Sequence, residues 1–211
     1  MNDPLLADAL AGVTRFVTGA QVTWTAGTPA PGQTIFFANH TSHLDFVTLW
    51  ASLPRRLRNQ TRPVAAQDYW ERGVRRKLAV DVFNAILVPR HEHNSLAGAD
   101  PSAAQKTIER IAAEMGDAYS LIIFPEGTRG DGSSVTRFRS GLYYLAQHRP
   151  GVQLVPAYIE NLNRILPKGE FLPVPFISRI TFGESLFLDA AESKDAFLTR
   201  AHDAVCGLKR A

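Results

Sequence analysis

A single cysteine, Cys206, stands among 211 residues, so no disulfide can close within the chain and a reducing compartment suits it. Its place in an amphipathic terminal pattern predicts an inert, packed thiol. No apolar run reaches the ~20 residues that span a bilayer, and no signal peptide is read at the amino terminus, so no spanning helix is expected. Internal repeats, low-complexity tracts and domain linkers are also lacking. With 45% hydrophobic composition the chain can bury one sizeable core, and a single domain over 1–211 is expected. Neither a recognised binding motif nor aromatic-basic interleaving points to nucleic acid.

Charge is modest in sum and uneven in place. The net charge is +3, yet Arg55, Arg56, Arg58, Arg62, Arg72, Arg75, Arg76 and Lys77 are opposed within their own stretch only by Asp68 and Glu71. Such a cluster suits anionic headgroups, the phosphates of coenzyme A or an acidic carrier protein, each basic group contributing about 1 kcal/mol near an anionic membrane. A solvated helix face is the alternative. Within residues 1–20, Leu5, Leu6, Ala9, Leu10, Val13, Phe16 and Val17 form the apolar stripe of an amphipathic helix. That stripe is expected to pack on its own domain in preference to lying in a bilayer interface.

Apolar periodicity predicts a helix over 4–18, strands at 21–25 and 33–38, and a helix from His43 to Leu53 capped by Thr41 or Ser42. A strand at 63–66, a basic helix over 68–80 and a strand ending at Arg90 follow. Asp100 and Pro101 open a helix to Met115. Strands near 121–124, 152–158 and 176–182 and helices over 141–147 and 193–208 complete the pattern. Alternating strands and helices imply an α/β sandwich with a central, largely parallel sheet flanked by helices.

Two polar segments stand where apolar strands end. The first follows Gln33–Ala38 and reads Asn39-His40-Thr41-Ser42-His43-Leu44-Asp45. Asp45, in a first helical turn, can reach back to one imidazole nitrogen of His40, fix its tautomer and leave the other nitrogen free to take a proton. Read alone, the segment is also a polar loop capped by Asp45. The second follows Leu121–Phe124 and reads Pro125-Glu126-Gly127-Thr128-Arg129-Gly130. Arg129 offers a rigid fork of donors for phosphate or carboxylate, Gly127 permits close backbone approach, and Thr128 adds a hydroxyl. Ligands of open α/β sheets gather beyond the carboxyl ends of strands, where both segments lie.

Together the two segments resemble the N-H-x4-D and F-P-E-G-T-R blocks of the glycerolipid acyltransferases, a family that includes the 1-acylglycerol-3-phosphate (lysophosphatidic acid) acyltransferases. Asn84–Arg90 looks like that family's apolar segment ending in a substrate-binding arginine, and Leu154–Ile159 like its last strand with a proline. The core motifs thus fall within 33–160. The chain departs from the family pattern in lacking a lysine over Val64–Trp70 and in placing Arg139 where relatives often carry lysine.

The resemblance implies direct acyl transfer from acyl-CoA or acyl carrier protein to the hydroxyl of a lysophospholipid, most specifically 1-acylglycerol 3-phosphate, giving phosphatidic acid. His40 and Asp45 are expected as catalytic base and orienter, and Arg90, Glu126, Gly127, Thr128 and Arg129 as substrate-binding residues. Asn39, Ser42 and Arg139 are secondary candidates, and Arg137 a further phosphate candidate. Glu126 is read as binding a glycerol hydroxyl or clamping an arginine. Main-chain N–H groups after His40 are read as the oxyanion hole. No cofactor or metal is required, and a cytoplasmic protein in peripheral contact with the anionic inner membrane face is expected. The alternative acceptors are glycerol 3-phosphate and other lysolipids. Two other classes remain: a metal-dependent hydrolase using His40, His43, Asp45, His91 and His93, and a non-catalytic lipid-binding module.

Overall fold

The computed structural model describes residues 4–70, 73–89, 101–162 and 177–209. Among the described residues seven strands form one sheet: β1 (Gln21–Trp24), β2 (Thr34–Ala38), β3 (Thr61–Ala66), β4 (Ile86–Val88), β5 (Ser120–Ile123), β6 (Gln153–Glu160) and β7 (Arg179–Phe182). Their order is β1-β7-β6-β2-β5-β3-β4. Every pairing is parallel except β6 with β7. The largely parallel α/β sandwich expected from the sequence is therefore the architecture found.

β2 lies at the centre: four of its five residues are apolar and all five are buried. A strand covered on both faces has no polar side to offer water. Phe36 and Ala38 join one core cluster, with Ala7, Ala11, Leu49 and Trp50. Ile35 and Phe37 join the other, with Ile108, Ile111, Leu142, Leu145 and Phe197. The first face is covered by α1 (Pro4–Thr18), α2 (Asp45–Ser52) and α3 (Arg55–Arg58). The helices α4 (Gln67–Trp70) and α5 (Gly73–Lys77) with its π-turn Leu78–Val82 extend that layer. The second face is covered by α6 (Pro101–Met115), α7 (Gly141–His148) and α8 (Lys194–Cys206). Each fully buried Leu, Ile or Phe contributes about 1.5–3 kcal/mol.

Three local expectations change. The basic helix expected over 68–80 is interrupted: Gly73 has φ +63, outside the helical region, and the run ends in a π-turn. Its charge is also partly consumed inside the fold. Arg58, 5% exposed, and Arg55 both pair with Asp8 of α1, while Arg62 bonds the carbonyls of Asn84 and Glu114. Arg56, Arg76 and Lys77 remain exposed.

The amino-terminal helix packs with the opposite side from the one expected. Ala7, Ala11, Thr14 and Thr18 are its buried residues, because small side chains let it approach α2 closely. Leu5 is 78% and Phe16 89% exposed, and Leu6, Val13 and Val17 are exposed with them. None of the described helices is long and apolar enough to cross a membrane. Cys206 sits half-buried near His202, and burial pushes its thiol up, which works against a reactive thiolate.

Candidate active site

The carboxyl ends of β2 and β5, adjacent in the sheet, deliver the two polar segments side by side. Asn39 extends the β2–β6 ladder with its side chain: Nδ2–H donates to the Ile159 carbonyl at 3.0 Å, and Oδ1 accepts the Ile159 amide at 2.7 Å. With the strand pinned to that point, His40 is the first residue free to turn outward.

The His40 Nδ1 lies 2.8 Å from Asp45 Oδ2. That oxygen also accepts the main-chain N–H groups of Thr41 at 2.5 Å and Ser42 at 2.8 Å, and the Asp45 side chain is fully buried. A buried carboxylate with three donors on one oxygen cannot swing, so the direction from it to the ring is fixed. The His40 ring also stacks on Phe124 at 4.3 Å between centroids with 21° between planes. Nε2 is thereby left to the cavity that His40 lines, with 24% of the side chain exposed. Ser42 is 2% exposed and accepts from the Leu44 amide at 3.3 Å. The cap expected at Thr41 or Ser42 is absent: α2 begins at Asp45 with Leu44 at the cap position and no side-chain cap bond. Of the main-chain N–H groups that follow His40, those of Thr41 and Ser42 are already committed to Asp45.

The second segment wraps the first. Glu126 Oε1 accepts the His40 main-chain N–H at 2.7 Å, and Glu126 Oε2 accepts the Thr136 amide at 2.8 Å and hydroxyl at 2.6 Å. The Gly130 amide donates to the His40 carbonyl at 2.8 Å. Arg139 lies flat against Gly127, where a Cβ would come within 2.6 Å of Nε, and its Nε–H donates to the Glu126 carbonyl at 2.9 Å. Gly127 has φ +70 as well, so both conformation and the arginine require glycine there. Thr128 and Arg129 are exposed and line the same cavity as His40 and Arg139. Arg137 makes an exposed 3.5 Å pair with Asp195. Arg90, His91 and His93 lie outside the described residues, and His43 lines the cavity.

That cavity has a volume of about 540 Å³, within the range of small-molecule sites. It exists because the sheet opens beside it. β3 pairs with β5 only through Thr61, Arg62 and Pro63, then pairs with β4 from Val64 to Ala66. Pro63, the last residue paired to β5, has no N–H with which to extend a ladder. The cavity runs between Val64–Ala66 and Ile123–Pro125, with Phe46 and Trp70 toward one core cluster and Ile108, Ile111, Leu142 and Leu145 toward the other. A cationic, histidine-bearing mouth therefore opens onto long apolar walls. Phe124, Thr136 and the stacking of Arg139 on Gly127 were not identified from sequence. Their partners are brought together by the sheet, and no local spacing announces them.

A histidine held by a buried carboxylate thus shares one apolar-walled cavity with two arginines, Arg129 and Arg139, at the carboxyl edge of a parallel sheet. Residues 20–160 match the family model described as Acyltransferase, and the chain belongs to that family. It is similar to a 1-acyl-sn-glycerol-3-phosphate acyltransferase of Cocos nucifera, 28% identical over 62% of this chain and 41% of that protein. It is also similar to a Dictyostelium discoideum protein named Taffazin, 26% identical over 76% of this chain and 57% of that protein. The chain thus spans about half the length of these relatives. The fold is that of the 1-acyl-sn-glycerophosphate (LPA) acyltransferase PlsC from Thermotoga maritima, with a TM-score of 0.72 at 17% identity, covering 97% of this chain and 78% of that one.

Proposed function

We propose that the chain transfers a fatty acyl group from acyl-CoA or acyl carrier protein to the hydroxyl of a lysophospholipid, 1-acylglycerol 3-phosphate before others, giving phosphatidic acid. The observation that carries this reading is the His40–Asp45 pair, 2.8 Å apart, on the wall of a cavity shared by two arginines and long apolar flanks. An acyl thioester is already activated, so one base suffices to make an alcohol attack it. Nε2 of His40 takes the hydroxyl proton as the oxygen bonds to the acyl carbon, and Asp45 stabilises the imidazolium. The carbon–sulfur bond then breaks, and the imidazolium returns the proton to the departing thiolate. Arg139 and Arg129 hold the acceptor phosphate, with Thr128 beside them, and Arg90 is a third candidate carried by the family resemblance. Fixing a remote charge in this way orients the hydroxyl and supplies several kcal/mol of the barrier reduction. Glu126, with both oxygens taken by protein donors, serves by holding the two loops together.

The acceptor is tested by supplying one isotopically labelled acyl-CoA with lysophosphatidic acid, glycerol 3-phosphate and a phosphate-free monoacylglycerol in turn, and weighing the lipid products. Phosphatidic acid is expected as the dominant product. Transfer confined to the phosphate-free acceptor would remove the roles given to the arginines.

Peripheral membrane contact is part of the same proposal, and the exposed apolar side of α1 supports it: Leu5, Val13 and Phe16 face solvent in a helix whose buried side is small. Burying such residues at an interface is favourable at about 25 cal/mol per Å². The double variant Leu5→Asp/Phe16→Asp should lose co-sedimentation with vesicles containing anionic phospholipid while keeping its melting temperature. Unchanged co-sedimentation would clear this face of the role.

A further inference from the structure

Asp45 and Phe124 aim the His40 ring, but neither sets how far His40 stands from the arginines that follow Glu126. That distance depends on how the first loop is joined to the second. Glu126, 3% exposed, is the ionic part of the joint. One carboxylate oxygen holds the His40 amide, and the other holds the amide and hydroxyl of Thr136, ten positions further along the chain. The rotation of a glutamate carboxylate about its last torsion is broad and soft. Three donors spread over the two oxygens narrow that freedom, the hydroxyl bond at 2.6 Å being the shortest of them, and bonds to a charged acceptor are the stronger kind. The Thr136 segment is itself held from behind by α8 and the turn that follows it: His202 Nε2 lies 3.2 Å from the Val135 carbonyl, the Phe138 ring meets His202 edge-on at 5.3 Å, and Lys209 Nζ reaches the Ser133 carbonyl at 3.5 Å. Thr136 is thus a fixed point against which Glu126 is locked.

We propose that Thr136 is a positioning residue for acyl transfer: its hydroxyl locks the Glu126 carboxylate, which in turn sets the main chain of His40 against the loop bearing Arg129 and Arg139. The inference rests on His40 as the base and on those arginines as the acceptor's anchor. It explains why a carboxylate lies among the phosphate-seeking groups of this site: its charge is turned inward, onto the amide of the base-bearing residue. Without the Thr136 hydroxyl each oxygen keeps one main-chain donor, so two bonds hold the carboxylate in place of three; it gains freedom about its last torsion, and the hydroxyl of a phosphate-anchored acceptor no longer meets Nε2 squarely. A misplacement on the order of 1 Å is enough to cost about 100-fold in rate.

Thr136→Val and Thr136→Ser, made in the full chain, test this with acyl-CoA and lysophosphatidic acid. Thr136→Val should lower kcat about 10- to 100-fold with KM moved by less than about threefold, and Thr136→Ser should restore it. The exchange rate of the His40 main-chain amide, read by NMR, should rise in the valine variant and return in the serine variant. A phosphate-free acceptor, which the arginines do not anchor, should lose far less rate than lysophosphatidic acid, whereas a merely structural defect lowers both alike. Wild-type kcat in Thr136→Val, no rescue by serine, or equal losses on both acceptors would overturn the proposal. Should the valine variant fail to fold, Glu126→Gln must reproduce the loss of kcat and of His40 amide protection, and normal values there overturn it. Full activity in His40→Ala would instead refute the base assignment itself, so the two failures are told apart.

Discussion

Replacing His40 with alanine is expected to lower acyl transfer about 1,000-fold while leaving lysophospholipid binding and the melting temperature nearly unchanged. General-base catalysis by a placed side chain contributes about 10²- to 10⁴-fold, and His40 is the imidazole held at 2.8 Å by the buried Asp45 carboxylate on the cavity wall, while Ser42 is buried and accepts from the Leu44 amide. The fold does not depend on the ring, which is 24% exposed and whose loop is held through main-chain bonds to Glu126 and Gly130. Steady-state kinetics beside equilibrium binding of the lipid decide the matter. A non-catalytic lipid-binding protein would give no turnover in either form.

Asp45 is expected to separate two functions that one oxygen performs together. Oδ2 accepts from the ring and from two amides, while Oδ1 is buried with no hydrogen-bond partner among the described residues. In Asp45→Asn the amide oxygen can occupy the Oδ2 place and keep all three bonds, so the His40 tautomer and the turn before α2 survive. What is lost is the negative charge that stabilises the imidazolium, and the new NH2 group is left in a partnerless position. Turnover should fall about 100-fold with a modest loss of stability. Asp45→Ala instead strands two main-chain donors in a buried turn, at about 1–3 kcal/mol each, and should lower the melting temperature well below that of the asparagine variant. Equal melting temperatures, or an asparagine variant as active as the parent, would contradict this division.

The features read correctly from sequence are those carried by short spacing. After Thr34, β2 is an apolar run that ends at the polar Asn39, so its burial and its carboxyl end are both written locally. The His40–Asp45 bond joins residues five apart, within reach of one strand-to-helix turn. Features hidden from sequence join distant segments. Glu126 meets the His40 amide across 86 positions, so its charge looked as suited to substrate as to scaffold. The arginines of the basic stretch find Asp8 some 50 positions back, which no local count of acids and bases reveals. α1 differs from its pattern for another reason: an amphipathic pattern tells which side is apolar, and small residues, which are neutral in such a pattern, take the packed side because they let two helices approach. Gly73, at φ +63, broke a helix that composition alone would have continued.

The direct-attack account is tested most simply by mixing wild-type and His40→Ala protein separately with a labelled acyl-CoA, with and without lysophosphatidic acid, and weighing both lipids and intact protein. The account predicts labelled phosphatidic acid from the wild type alone, only when the acceptor is present, and an unchanged protein mass throughout. An acylated protein that forms without acceptor and passes its label on when acceptor is added, or product formed equally by the alanine variant, would contradict it.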